Sequence, residues 1–381
     1  MKICMLLARF RPFCGGTELQ AERLARALRE SGDEAFVLTA RVGELPATVC
    51  IDGVPVSRAW APGRGMLSSG AFAISALATL LLRRREWDLV HAHLASSHAL
   101  AALVAGRALR RAVVVKLGGA RATVDIGTSL SRPGGRLKLA CIARGASAVV
   151  APSSEVLEEA AAAGFPRTTL RVIPNGVDTA AFAPSDAPAR SELRRRFGIP
   201  GERPVGACVG RLERGKGLEA LLTSWSTACP AGTLLVAGEG SLRRELESHH
   251  ASERVRFLGH LPDVRPVLGA ADLFLLPSAG EGLSNALLEA MACGIVPVVS
   301  PITANLEIVT HERTGYVVDF AHPEAAPGGL SAVLAARDRW AELGAAARDS
   351  VVHRFAMPLV LAAWRGLYAE LLAERHPSQQ R

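Results

Sequence analysis

Residues 273–299 read LFLLPSAGEGLSNALLEAMACGIVPVV, and the fold can be inferred from this stretch. An apolar strand at Leu273–Leu276 leads through a loop into a helix that continues to Ala292, and a second apolar strand follows at Val296–Val299. Short apolar runs that alternate with helical patterns are typical of parallel sheets joined by right-handed crossovers. The stretch therefore predicts a strand–helix–strand unit of an α/β fold.

The same alternation extends along the rest of the chain. Residues 174–204 interrupt it with five prolines around a short charged helix, which predicts a connection between two Rossmann-like domains, residues 1–185 and 186–355. Strands are expected at Lys2–Leu7, Ala35–Thr39, Asp88–Ala92, Ala112–Leu117, Ala148–Val150 and Leu170–Ile173 in the first domain, and near Val205–Gly210, Thr233–Ala237, Val255–Leu258, Leu273–Leu276 and Val296–Val299 in the second.

Length and composition favour a folded protein with two cores. A chain of 381 residues is too long for one compact core, and 49% hydrophobic with 21% charged residues is ordinary for a globular protein. The longest apolar run, Ala71–Leu82, ends at Arg83 and is shorter than the ~18–20 residues that a membrane span needs. Seven cysteines without a CxxC pair predict neither a disulfide framework nor a zinc site, so the cytoplasm is the expected compartment.

Positive charge is concentrated in the first domain. Residues 1–185 contain 23 Lys and Arg against 14 Asp and Glu, a net charge of +9, whereas the remainder carries −1. This asymmetry suggests an anionic partner: a phospholipid surface, a lipid diphosphate or an acidic acceptor. Arginines that only solvate helix faces are an equally simple explanation. Nucleic acid is not expected, because no nucleic-acid-binding motif is present and only 5% of residues are aromatic.

The loop after Leu276 has the features of an anion site. Ser284 and Asn285 can cap the following helix, whose start presents the backbone N–H groups of Leu283, Ser284, Asn285 and Ala286. The positive end of the helix dipole lies at the same place, so a diphosphate would bind well there. Gly282 allows a phosphate to approach without a side chain in the way.

Two carboxylates flank this helix start. Glu289 lies one to two turns along the helix, where a ribose attached to a bound diphosphate could reach it. Glu281 stands in the loop and can face the group beyond the diphosphate, which would be a sugar. The pattern therefore predicts a site for a nucleotide sugar.

Two cations follow the first strand of the second domain. Residues 209–217 read VGRLERGKG, in which Arg211 can bind two phosphate oxygens in a fork and Lys216 adds a point charge. These charges suit a diphosphate leaving group. A Walker A loop is excluded, because Gly217 follows Lys216 where that motif has Ser or Thr.

Two further motifs lie in the first domain. Residues 14–18 read CGGTE, and Gly15 and Gly16 would allow a ligand to approach the backbone closely. His91 and His93 end a strand, and strand alternation places both imidazoles on one side. No third ligand is placed by spacing, so a metal site is not predicted.

The segment from Glu281 to Glu289, with the AMACGIVPVV sequence that follows, resembles the E-x7-E motif of the retaining family-four glycosyltransferases. Residues 209–217 resemble the family's Gly-Arg-Leu…Lys-Gly signature, and residues 174–178 its Pro-Asn-Gly-Val-Asp hinge segment. The resemblance covers nearly the whole chain. It implies the GT-B fold, an α/β architecture of two Rossmann-like domains facing across a deep cleft, with the last helix, residues 356–381, packed back on the first domain.

The resemblance also implies roles for individual residues. The second domain would bind the nucleotide sugar and the first domain the acceptor. The implied roles are donor-sugar contacts for Glu281 and His93, a ribose contact for Glu289, pyrophosphate contacts for Arg211 and Lys216, a loop beside the nucleotide at Gly238, and a loop that borders the donor phosphate and the acceptor at Gly15 and Gly16.

A retaining, metal-independent hexosyltransferase without a cofactor is the implied activity. The donor would be a UDP- or GDP-linked sugar and the acceptor a glycan, a lipid-linked glycan or a small molecule, with the protein in the cytoplasm or at the inner face of an anionic membrane. A non-catalytic nucleotide-sugar-binding component of a polysaccharide-assembly complex is the alternative. Donor hydrolysis or transfer would distinguish the two.

Overall fold

A computed structural model describes residues 1–13, 15–63, 65–119, 125–199 and 201–375. The chain divides into two compact units. The first unit comprises Met1–Gly176 together with the chain from Met357 onward, and the second comprises Val177–Ala356. The division falls at Gly176, whereas the sequence places it at residue 185, because Val177 already donates its N–H to the carbonyl of Phe355 within the second unit.

The first unit is built on an eight-stranded sheet with the order β3-β4-β2-β1-β5-β6-β7-β8. Every neighbouring pair is parallel except β3 and β4, which form an antiparallel hairpin that the sequence analysis missed. The strands are β1 (Lys2–Leu6), β2 (Glu34–Ala40), β3 (Thr48–Ile51), β4 (Val54–Ala59), β5 (Leu89–His93), β6 (Ala112–Lys116), β7 (Ala148–Ala151) and β8 (Leu170–Val172).

Helices cover both faces of this sheet. Strand alternation sends Cys4 and Leu6 into a core under α2, α3, α5 and α6, while Ile3 and Met5 pack against α1 and α15. The helices are α1 (Gly16–Glu30), α2 (Gly65–Leu82), α3 (Ser97–Leu109), α4 (Asp125–Leu130), α5 (Gly135–Gly145), α6 (Ser154–Ala162) and the last helix of the chain, α15 (Met357–Arg375).

The second unit has a six-stranded sheet with the order β11-β10-β9-β12-β13-β14, and its paired strands are parallel. Its strands are β9 (Val205–Val209), β10 (Thr233–Ala237), β11 (Val255–Gly259), β12 (Leu273–Leu276), β13 (Val296–Val299) and β14 (Tyr316–Val317). Its helices are α7 (Ala187–Arg196), α8 (Leu218–Ala228), α9 (Arg243–His250), α10 (Arg265–Ala270), α11 (Asn285–Ala292), α12 (Thr303–Leu306), α13 (Ala326–Ala335) and α14 (Trp340–Phe355).

These two sheets, parallel except for the β3–β4 pair, confirm the predicted α/β class with two Rossmann-like domains. In the second unit, Asp272 anchors the start of β12, since it accepts hydrogen bonds from the N–H of Val205 and from the guanidinium of Arg194, at 2.8 Å each. Among the helices in the described ranges, none combines the length and the apolar character needed to traverse a bilayer.

Candidate functional site

The second unit brings Lys216 and Glu281 together. Lys216 lies in the loop after β9 and Glu281 in the loop after β12, and these strands are neighbours in the sheet. Lys216 Nζ lies 2.6 Å from Glu281 Oε1, and the Ser278 hydroxyl donates to the same oxygen at 2.7 Å. Both charged side chains keep part of their surface exposed, 22% for Lys216 and 16% for Glu281, so a ligand can reach the pair.

This pair lies where the strand order of the sheet reverses. The chain continues from β9 to β10 on one side, and later returns to place β12 on the other side. Open α/β sheets bind ligands at such a switch point, outside the carboxyl ends of the strands. The topology therefore supports a ligand site at the Lys216–Glu281 pair.

Glycines hold the loops at this edge close to one another. A Cβ on Gly217, whose φ is +65°, would lie 2.1 Å from the carbonyl oxygen of Pro277, so the loop after β9 touches the loop after β12 through backbone alone. The N–H of Ala279 also donates to the carbonyl of Gly215 at 3.0 Å. A side chain at Gly217 would push the two loops apart and separate Lys216 from Glu281.

The loop after β10 packs against the loop after β9 in the same way. A Cβ on Gly238 would lie 1.8 Å from the carbonyl oxygen of Gly210, and one on Gly240 would lie 2.1 Å from that of Leu212. Glu239 contributes a carbonyl that accepts from the N–H of Leu212 at 2.9 Å. The structure thus places Gly238 beside the loop that carries Lys216, as a backbone contact between two loops.

The start of α11 is capped as the sequence predicts. The Ser284 hydroxyl accepts a hydrogen bond from the N–H of Leu287 at 3.3 Å, while Gly282 and Leu283 are buried and Asn285 is partly exposed. Glu289 is only 4% exposed. Burial and the adjacent Glu289 carboxylate raise the pKa of the Cys293 thiol to about 12. Ser284 therefore caps the start of α11, and the Glu289 carboxylate lies inside the unit.

Arg211 does not join the ion pair. Its side chain is exposed and donates a hydrogen bond to no residue that the structure describes, so its donors are available to an anion. The hydrogen bonds that Ser241 donates, and to a smaller extent the charge of Arg211, hold the pKa of Glu213 below its usual range. Among the described residues, no group of three or more His, Cys, Asp or Glu is placed to hold a metal ion.

In the first unit, Gly15 and Gly16 begin α1. Gly15 is the N-cap, and a Cβ there would lie 2.5 Å from the Glu18 carboxylate, so that carboxylate folds back over the helix start. Cys14, the first residue of the predicted glycine loop, lies outside the described residues.

The structure does not present His93 to a ligand. Its imidazole is 1% exposed and is stacked on that of His91 with ring centroids 4.2 Å apart. His91 faces α15, where its Nδ1 forms a 2.7 Å hydrogen bond with the Tyr368 hydroxyl. Burial, and then the charge of Lys116, lower the pKa of His93 well below its usual range, so the ring is neutral. We therefore assign no ligand contact to His93 in this state of the chain.

Lys116 is a functional candidate that the sequence analysis missed. Its ammonium is buried at the carboxyl end of β6, donates to Asn175 Oδ1 at 2.8 Å, and lies 5.7 Å from the centre of the Trp364 ring. Burial lowers its pKa to about 8. The signal was present in the sequence, since Lys116 ends an apolar strand and two glycines follow at 118 and 119, much as Lys216 follows β9.

Two family models match the chain. The model described as glycosyltransferase family 4 matches residues 14–181, and the model described as glycosyl transferases group 1 matches residues 203–335. The second match contains Arg211, Lys216, Glu281 and Glu289.

Two curated proteins similar to this chain are mycobacterial GDP-mannose-dependent alpha-(1-6)-phosphatidylinositol monomannoside mannosyltransferases. The Mycobacterium tuberculosis protein is 33% identical over 243 residues, which cover 60% of this chain and 62% of that protein. The Mycolicibacterium smegmatis protein is 32% identical over 275 residues, which cover 67% of this chain and 69% of that protein. The match thus spans less than two thirds of the M. tuberculosis protein's length.

One solved structure with a similar fold is that of Anabaena HepE in complex with UDP-glucose. It superposes with a TM-score of 0.82 at 21% identity, over 97% of this chain and 100% of that chain. At this identity the likeness shows the fold alone. Taken with the two family models and the mycobacterial relatives, it shows that the chain belongs to the family-four glycosyltransferases, of the glycosyl transferases group 1 type and the GT-B fold.

Proposed function

We propose that the protein transfers a hexosyl unit from a UDP- or GDP-linked sugar to a glycan, lipid-linked or small-molecule acceptor, with retention at the anomeric carbon. The observation that carries the proposal is the Lys216–Glu281 pair, 2.6 Å apart, at the switch point of the second sheet. Family membership supports the reaction class. The mycobacterial relatives are named for GDP-mannose and HepE was crystallised with UDP-glucose, so these two donors are the first to test.

The diphosphate leaving group would be stabilised by charges that are already in place. Arg211 and Lys216 supply two cations, and the start of α11 supplies backbone N–H groups and the positive end of its dipole. Donors that are fixed before the reaction stabilise developing charge without reorganisation, and the loss of one costs about 3 to 4 kcal/mol in the transition state. Arg211→Ala or Lys216→Ala should therefore lower kcat by about 100- to 1,000-fold.

Glu281 would change partners when the donor binds. Without a ligand it neutralises Lys216, and the Ser278 hydroxyl holds the same carboxylate oxygen. A bound diphosphate would form the ion pair with Lys216 in place of Glu281. The Glu281 carboxylate could then accept hydrogen bonds from the hydroxyls of the sugar. Glu289 would reach a ribose only if the start of α11 opens, because it is 4% exposed.

The proposed transfer step needs no protein nucleophile. The acceptor oxygen attacks the anomeric carbon from the face that the phosphate leaves, so the carbon–oxygen bond to the diphosphate breaks as the new glycosidic bond forms. The acceptor hydroxyl gives its proton to an oxygen of the departing diphosphate. Charge and atoms balance between a nucleotide sugar and an alcohol on one side, and a glycoside and a protonated nucleoside diphosphate on the other.

The transfer is proposed to proceed without a metal ion. The chain contains no Asp-x-Asp sequence, and two cations with a helix start can balance the diphosphate. Transfer measured in EDTA should equal transfer in buffer alone. Loss of transfer on chelation, with recovery on adding manganese or magnesium, would contradict this.

A non-catalytic nucleotide-sugar binder is the competing function. Incubation with UDP-glucose or GDP-mannose should release nucleoside diphosphate slowly in water and faster with a suitable acceptor. Arg254→Ala, which changes an exposed cation elsewhere in the second unit, is a matched control for Lys216→Ala and should keep the parent rate. Donor binding without any release in either condition would favour the binder.

A further inference from the structure

One face of helix α2 is apolar and exposed. Phe72, Ala76 and Leu80 pack into the core of the first unit. On the opposite side, Leu67, Ile74 and Leu82 are 87%, 72% and 81% exposed. Spacings of seven and eight residues keep these three side chains on one face, along about 22 Å of helix at 1.5 Å per residue.

Trp60 extends this face. Its side chain is 64% exposed, and its carbonyl accepts a hydrogen bond from the Ser75 hydroxyl, which places it beside the middle of α2. We call Trp60, Leu67, Ile74 and Leu82 the α2 face. No described segment of the first unit covers these four side chains. Apolar patches of this kind on a folded protein mark interaction surfaces.

Helices α3 and α5, which lie in the same layer as α2, are cationic. The sequences of α2, α3 and α5 contain no Asp or Glu, and Arg107, Arg136 and Arg144 on α3 and α5 are exposed. Val104 on α3 and Leu137 on α5 are exposed apolar residues of the same layer. Two exposed carboxylates also lie in this region, Glu86 after α2 and Glu158 on α6, so the exposed cations are in excess but not alone. Exposed apolar side chains beside an excess of cations match the chemistry of an anionic lipid surface, with acyl chains beneath phosphate and carboxylate head groups.

The three arginines that follow α2 divide into two groups. Arg83 forms an ion pair with Glu86, donates to Ser57 and lies 4.6 Å from the centre of the Phe36 ring, so it serves the fold. Arg84 and Arg85 are exposed, and their guanidinium groups form a hydrogen bond or ion pair with no residue in the described ranges. Arg84 and Arg85 are therefore the cations to change in a binding test.

We propose that the α2 face docks the first unit on an anionic phospholipid bilayer. The apolar side chains enter the boundary between head groups and acyl chains, and Trp60 lies at the level of the head groups, where tryptophan is favoured. Arg84 and Arg85 contact the anionic head groups. The attraction of these cations to the head groups is screened by salt, so the attachment is reversible.

Vesicle sedimentation tests this docking. The whole protein should sediment with phosphatidylcholine–phosphatidylserine vesicles at low salt, and stay in the supernatant with phosphatidylcholine alone or at high salt. The double variant Arg84→Glu/Arg85→Glu should lower the partition coefficient at least about 30-fold, which corresponds to about 2 kcal/mol. Ile74→Ser/Leu82→Ser should weaken binding as well, because it removes apolar contact without changing charge.

A matched control distinguishes a local surface from net charge. Arg196→Glu/Arg203→Glu reverses two exposed cations of the second unit and should bind vesicles as the parent does. All variants should keep the parent's thermal unfolding curve and its rate of donor hydrolysis, so the result is independent of the proposed transfer activity. Equal recovery of the parent in the supernatant with and without phosphatidylserine, equal binding to neutral vesicles, or equal loss in the control pair would each overturn the proposal.

Discussion

Replacing His93 by Leu should stabilise the first unit. The imidazole is 1% exposed, and neither Nδ1 nor Nε2 has a hydrogen-bond partner among the described residues. A buried polar group without a partner costs about 1–3 kcal/mol, whereas the stacking on His91 that the substitution removes is worth about 0.5–1.5 kcal/mol. Leu has a similar volume and brings no polar atom that needs a partner, so a net gain of about 1 kcal/mol in the free energy of unfolding is expected near neutral pH.

The gain should increase as the pH falls. The pKa of His93 in the folded chain is lowered, chiefly by burial, so below about pH 6.5 the unfolded chain binds a proton that the folded chain does not. The free energy of unfolding then falls with decreasing pH, by up to about 1.36 kcal/mol per pH unit for each such imidazole. Near pH 5 the advantage of His93→Leu should therefore be about 2 kcal/mol larger than near pH 7.

Urea unfolding followed by circular dichroism at the two pH values measures both effects. His98→Leu is the matched control, because His98 is equally buried but paired, with Nδ1 2.6 Å from Ser96 Oγ and Nε2 2.7 Å from the His93 carbonyl. Near neutral pH the free energy of unfolding should fall by about 1–3 kcal/mol in His98→Leu, whereas it should rise in His93→Leu. Our assignment is wrong if two results occur together. The first is that His93→Leu is less stable than the parent. The second is that its transfer rate falls 100-fold or more while His98→Leu keeps the parent rate, which would mean that His93 contacts the ligand.

Three further substitutions test the loop after β10, the start of α11 and the buried end of β6. Gly238→Ala should destabilise the second unit or prevent its folding, since its Cβ would lie 1.8 Å from the Gly210 carbonyl oxygen. Gly210→Ala is the control: its Cβ would meet no atom within 4 Å, so the melting temperature should stay nearly unchanged. Ser284→Ala should cost about 1 kcal/mol in thermal unfolding, because it removes the cap of α11. Lys116→Met should have a higher free energy of unfolding than the parent below pH 8, because burial lowers the pKa of Lys116 to about 8 in the folded chain and unfolding restores its usual value. The difference between the two proteins should fall by on the order of 3 kcal/mol as the pH rises to about 10.5, since the parent then no longer has to lose a proton on folding. Urea titrations across that pH range measure the difference.

Strand alternation predicted most of the sheets, and the β3–β4 hairpin shows where it fails. Its turn carries a strong signal, Asp52-Gly53, with both residues at positive φ. Its outer strand β3, however, forms the edge of the sheet, and the side chains of β3 are exposed or only partly buried. Because the side chains of an edge strand need not be buried, such a strand can lack an apolar run, and apolar runs alone do not predict it.

The sequence predicted where the site residues lie along the strands, but not which of them touch. Lys216 and Glu281 each follow an apolar strand, which the sequence shows, yet they are 65 residues apart and meet only because Gly217 lets two loops touch. The His91 imidazole, on which His93 is stacked, packs against Trp364 and Tyr368 of α15, a helix that begins at Met357. Alternation puts His91 and His93 on one face, but it does not show what packs over them.

Isothermal titration of UDP and GDP tests the central claim most directly, because it asks whether a nucleoside diphosphate binds at the Lys216–Glu281 pair. The parent should bind at least one of the two. Arg211→Ala and Lys216→Ala should each raise Kd by roughly 10- to 100-fold, since a hydrogen bond to a charged group is worth about 1.5–3 kcal/mol, and Arg254→Ala should not. If both Arg211→Ala and Lys216→Ala bind UDP and GDP as tightly as the parent does, the donor site lies elsewhere.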